Sequence, residues 1–117
     1  MKYELQKRLN EFGNSIMNLS KQLPRTGGAQ YLASQLSKSG ITPALKYGEI
    51  QTADSRNDLI SKMKLLLKEL REIKVCLKMI ERRAFVKEAY VNNAMQENHE
   101  LVSIFVRDIA RARKIMH

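Results

Sequence analysis

The residues best equipped for proton or metal chemistry in this chain are Glu97-Asn98-His99-Glu100, which bring two carboxylates and an imidazole into one short run. Di-metal helical bundles use Glu-x-x-His pairs, because residues three apart share a helix face and aim both donors inward. His99 follows Glu97 by only two positions, on a different face, and the other histidine is His117, so no second pair exists. The run therefore reads as an exposed polar turn of helix around Asn98. Glu49, Asp54 and Asp58 also lie close in sequence. They stand at the end of one helix and the start of the next, where acids and capping side chains belong without catalysis. The stretch RTGGAQ lacks the spacing and the Lys-Ser/Thr ending of a phosphate-binding loop, and neither a nucleophile elbow nor His-Glu-x-x-His occurs. Cys76 is the one cysteine, which excludes a disulfide framework and a thiolate metal site and suits a reducing cytosol. The expectation is a protein that is not an enzyme, with no catalytic residue, no metal and no cofactor.

Charge is the second chemical resource. Lysine and arginine number 21 against 12 acids, a formal +9, so the surface field attracts phosphate or anionic membrane. Residues 56–83 hold nine basic and four acidic side chains, more than half of the excess. With Leu59, Leu66, Ile73 and Ile80 placed at heptad position d, Lys64, Arg71 and Lys78 fall at b, Lys68 and Arg82 at f, and Lys74 at e. These six cations share one outward stripe, while Glu69 at g and Glu72 at c fall mostly to the other side. Such a column tracks phosphates and releases counterions, steepening salt dependence by about 0.9 per contact on duplex DNA. The bland counterpart is a solvated lysine-rich face, which is common on helical proteins, and Arg107, Arg111, Arg113 and Lys114 near the end of the chain add a second cluster that narrows the gap between the two readings. Tyr3, Tyr31, Tyr47 and Tyr90 are scattered rather than set as a stacking platform of the kind single-strand binders use, and base-specific readout has no support.

The elements that must carry this stripe follow from apolar spacing. Leu5, Leu9, Phe12, Ile16, Leu19 and Leu23 alternate steps of four and three, the rhythm of a helix with one buried seam. That helix stops at Leu23-Pro24. A second helix is expected from about Ala29 to about Ile50, burying Tyr31, Leu32, Leu36, Ala44, Leu45 and Tyr47 and kinked near Pro43, which has no amide proton to donate. Leu59, Met63, Leu66, Leu70, Ile73, Leu77 and Ile80 mark a third, started by Ser55 and Asp58 as reciprocal caps. Val91, Met95, Val102, Phe105, Ile109, Ala112 and Met116 mark a fourth, from about Lys87, with Asn98 as the one polar intruder. The sum is an all-α fold, an antiparallel up-down four-helix bundle forming a single domain over residues 1–117. The N-terminal sequence lacks the uninterrupted apolar run of a signal peptide, and no stretch approaches the ~20 apolar residues of a membrane span. Leu65, Val75 and Met79 widen the apolar arc of the third helix beyond one seam, the expected look of a subunit interface, so a homo-oligomer is expected.

The stretch from Ser39 to Ile80 resembles the four-helix bundle proteins related to the product of intervening sequences in bacterial 23S ribosomal RNA genes, the S23-like family. The residues that carry the resemblance are Ser39-Gly40, Ala44-Leu45, Tyr47, Glu49, the Ala53-x-Ser55-x-x-Asp58 joint, Lys62 and the run Lys68-Glu69-Leu70-Arg71-Glu72. The resemblance implies ring-forming oligomers, taken as pentamers, and an association with ribosomal RNA suggested by gene position. It extends in fold to the accessory variability proteins of diversity-generating retroelements, which are implicated in binding nucleic acid and a reverse transcriptase. Lys46 stands where many relatives have Asn, and Cys76 where an aromatic residue is common. The expected function is a cytoplasmic, oligomeric module binding RNA or DNA without base specificity through Lys64, Lys68, Arg71, Lys74, Lys78 and Arg82. The alternative is an oligomeric scaffold for a protein partner, with no nucleic-acid role.

Overall fold

The computed structural model describes the backbone of residues 2–115 and the side chains of residues 4–114. Helices α1 (Lys2–Lys21), α2 (Gly27–Ser39), α3 (Thr42–Ile50), α4 (Arg56–Arg83) and α5 (Glu88–Ile115) follow one another with short connections, and no strand occurs among the described residues. Helices α2 and α3 together form one side of a four-helix bundle. They pack between α1 and α4, and α5 closes the bundle by packing between α4 and α1. Connections this short make successive helices antiparallel.

The expected kink lies between α2 and α3, at Gly40-Ile41, with Pro43 just inside the new helix where a missing amide proton costs no hydrogen bond. Gly40 and Ile41 keep right-handed helical angles, so the chain bends rather than reverses. Gly13 of α1 faces this bend. A Cβ at Gly13 would lie 2.9 Å from the carbonyl oxygen of Gly40, and one at Gly40 would lie 3.0 Å from Cγ2 of Ile16. The two glycines let the α1 backbone approach the break directly.

The core follows the apolar spacing with corrections. Leu9, Phe12, Ile16, Leu19 and Leu23 are buried from α1 and its exit, and Met63, Leu66, Leu70, Ile73, Leu77 and Ile80 from α4. In α2 and α3, however, Tyr31 is 67% and Leu45 60% exposed, contrary to the expectation that both are buried. The buried seam runs through the break in steps of three and four, from Ala29, Leu32 and Leu36 through Gly40 to Pro43, Ala44 and Tyr47, and Tyr31 and Leu45 each stand one residue beside it. In α5, Ala94, Asn98 and Leu101 are buried, while Met95 and Val102 sit at the core edge. Met116 lies outside the described residues. Tyr47 and Phe105 meet edge to face across the core, ring centroids 6.0 Å apart.

The joint before α4 is built as its sequence suggests. Ser55 Oγ accepts from the Asp58 amide at 3.1 Å, and Asp58 Oδ2 accepts from the Asp54 amide at 3.0 Å, one residue earlier than a standard capping box. The Asp54 amide and the Lys62 ammonium hold the Asp58 carboxyl below the usual carboxylate range. At the far end of α4, Ala84 adopts a left-handed conformation (φ 54°) and ends the helix, its amide returning to Ile80 and Glu81.

Candidate nucleic-acid interface

Helix α4 rises about 1.5 Å per residue, so Lys64 to Arg82 spans about 27 Å. The residues opposite its buried seam include the predicted cations: Lys64, Lys68, Arg71, Lys78 and Arg82 are exposed and Lys74 is half-buried. Among the described residues none of the six forms an ion pair; the α4 lysine that does is Lys62, 3.0 Å from Asp58. The stripe thus presents its charge to solvent without a direct ion pair among the described residues.

The bundle adds a second wall. Between α4 and α5 runs an open groove of about 780 Å³, bordered by Lys64, Lys68 and Arg71 on one side and Arg113 on the other. Leu67, Val75, Val106, Ile109 and Ala110 form its floor. Further along the same seam, Lys74 and Lys78 face Asn92, Gln96 and His99 of α5. Arg113 therefore joins the stripe, whereas Arg107 lines a different cleft beside Arg8.

The acids divide. Glu69 turns towards the other flank: burial and Glu72 hold its carboxyl above the usual range, while Lys68, Lys46 and Lys38 pull it back. Glu72, expected on the other side with it, instead borders the groove among the cations. Burial, aided by the charge of Glu72, pushes the half-buried Cys76 thiol up. Lys46 stands 3.8 Å from Glu49, one turn along α3.

The Glu97–Glu100 turn corrects the expectation of an exposed polar patch. Asn98 is 0% exposed, and its Nδ2 donates to the Leu70 carbonyl of α4 at 2.9 Å, while Oδ1 has no partner among the described residues. Glu97 takes a two-point contact from Arg8 of α1, at 2.6 and 3.1 Å, and Glu100 a longer one at 3.3 Å. The hydrogen bond to Glu97, opposed by burial and reinforced by both carboxylates, raises the Arg8 pKa. His99 is exposed, between the α4 cations Lys74 and Lys78 on one side and the Arg8 cleft on the other. One helical turn thus reaches α1 and the core in different directions, an arrangement that locks helices together and gathers no donors. The signal was in the spacing: Val91, Met95, Asn98, Val102 and Phe105 step by four and three, which puts Asn98 on the buried seam and argues against the exposed reading.

No protein-family model matches the chain, and no curated protein matches it. The bundle has a solved counterpart. The chain is similar to a protein of unknown function from the S23 ribosomal protein family of Bacteroides thetaiotaomicron VPI-5482, with a TM-score of 0.83 and 24% sequence identity. The similarity covers 94% of this chain and 99% of the other, so it involves the whole bundle rather than one helical hairpin. At this identity it establishes the fold, and function must be argued from the surface. Among the described residues no helix is long and apolar enough to cross a membrane.

Proposed function

We propose that the chain is a non-enzymatic module of the S23-like kind that binds RNA or DNA without base specificity, through Lys64, Lys68, Arg71, Lys74, Lys78 and Arg82, with Arg113 across the groove. The observation that carries this reading is the exposed file of α4 cations without ion-pair partners among the described residues. Phosphate contacts of that kind supply affinity without reading sequence. The resemblance to S23-like and accessory variability proteins supports the same reading and adds a ring, taken as a pentamer. Exposed Leu65 and Met79, on the α4 shoulder beside the stripe, are the side chains such a ring would cover, whereas Val75, expected with them, borders the α4/α5 groove instead. Several stripes in one particle would add weak contacts into avidity.

The test is charge reversal. Lys64→Glu, Arg71→Glu and Lys78→Glu together should weaken RNA and DNA binding and flatten the log–log salt slope by about 2 to 3, at about 0.7 to 0.9 per phosphate contact. Light scattering should give the same mass for the variant as for the original chain. Unchanged affinity would remove the stripe as the site. The exposed Leu65 and Met79 also favour a second reading, an oligomeric scaffold for a protein partner. It predicts no salt-sensitive nucleic-acid binding, while the oligomer persists.

A further inference from the structure

We propose that the α4/α5 groove takes nucleic acid as a single strand, laying unpaired bases on its apolar floor while phosphates meet the cations at its rim. This rests on the nucleic-acid reading above and adds the form of the ligand. Its starting point is an expense that phosphate tracking does not explain: Val75 is 59% and Val106 43% exposed, between Lys68 and Arg71 on one side and Arg113 on the other. A surface that only follows phosphates gains nothing from valines in its floor. A ligand with apolar faces and anionic edges does gain from both parts, and nucleotides released from pairing have that character.

Duplex shape argues the same way. Its bases are stacked inside, and its exterior offers phosphate, sugar and polar groove edges. Val75 and Val106 stand open to any ligand, but a duplex has no apolar face to set against them, whereas an unpaired strand has.

The seam also changes character along its length. Past Val75 the walls carry Lys74, Lys78 and Glu81 opposite Asn92, Gln96 and His99, with Met95 the single apolar side chain there. An acidic amphipathic helix from a partner protein would match the cationic rim, but it needs a continuous apolar stripe beneath it. Bases carry apolar faces and hydrogen-bonding edges together, which suits a floor that passes from valines to amides. The floor holds no aromatic ring, so contact is sequence-tolerant and modest per base.

The experiment is anisotropy with a labelled oligothymidine and a labelled duplex, each of about twenty nucleotides per strand, long enough to exceed the groove. The expected result is an affinity for the single strand about tenfold above that for the duplex. Val75→Ser with Val106→Ser, both at exposed positions, should remove about that factor for the single strand and leave duplex binding unchanged, with the helical circular dichroism intact. Equal affinity for the two ligands, or a floor variant that binds the single strand as before, overturns the single-strand assignment while leaving the stripe in place. Binding of neither ligand by the original chain overturns the nucleic-acid reading itself. Displacement of bound oligothymidine by an acidic amphipathic peptide, at equal charge and lower concentration than by unlabelled oligothymidine, would assign the groove to a protein partner instead.

Discussion

Asn98 concentrates the residue-scale physics of this bundle. Its carboxamide is fully enclosed, satisfied on one side by the Leu70 carbonyl and without a partner on the other among the described residues. A buried polar atom left unpaired costs about 1 to 3 kcal/mol, more than the about 1 kcal/mol that one neutral hydrogen bond returns. Asn98→Leu should therefore stabilise the fold by about 1 to 2 kcal/mol, read as a higher urea midpoint at unchanged slope. A lower midpoint would show that the carboxamide contributes more than its bond to Leu70. A single buried amide among apolar neighbours also discriminates registers, because every slipped pairing of α4 and α5 strands it without the Leu70 carbonyl. At this scale the sequence was readable where spacing decides. The Ser55 cap and the outward cations of α4 follow from position alone. Asn98 stands on the α5 seam by spacing, but its charged neighbours favour an exposed turn; Glu72 does not follow from position, since its face depends on where the neighbouring helix packs.

At the scale of elements, the α2/α3 break and α1 constrain one another through two glycines. An alanine methyl at Gly13 would press on the Gly40 carbonyl at 2.9 Å, and backbone at a helix bend has no rotamer with which to yield. Gly13→Ala should destabilise by about 1 to 3 kcal/mol despite the better helix propensity of alanine, as measured by chemical denaturation. A gain of stability would mean that α1 stands further from the bend. Boundaries of α1, α4 and α5 were legible to within a few residues, because their seams run unbroken and Pro24 and Ser55 punctuate them. The Pro43 kink was legible for the same local reason. The faces of α2 and α3 were less so: Tyr31 and Leu45 are apolar neighbours of the buried Leu32 and Ala44, one position off the seam, and apolar character alone does not separate the two. The Ala84 stop was likewise hidden, since alanine gives no sign of a left-handed position.

For the whole molecule, an elongated bundle of 50 × 22 × 20 Å gives one long side to α4 and α5, and the candidate interface occupies that side. The sequence made the charge of that side visible on α4 but not the apolar floor, which exists only where α5 supplies Val106 and Arg113. The Arg8 contact to Glu97 bridges 89 positions of chain, whereas α4 and α5 are joined by a few residues. Closing a short loop costs less entropy than closing a long one, so the order of folding should run from the α4/α5 hairpin to the docking of α1. Ile73→Val in α4 should slow folding, while Leu9→Ala in α1 should chiefly speed unfolding; the reverse pattern in stopped-flow kinetics would refute that order. The long reach of Arg8 then has a meaning in time as well as in space: it is a late latch, fastened onto a hairpin whose binding groove already exists.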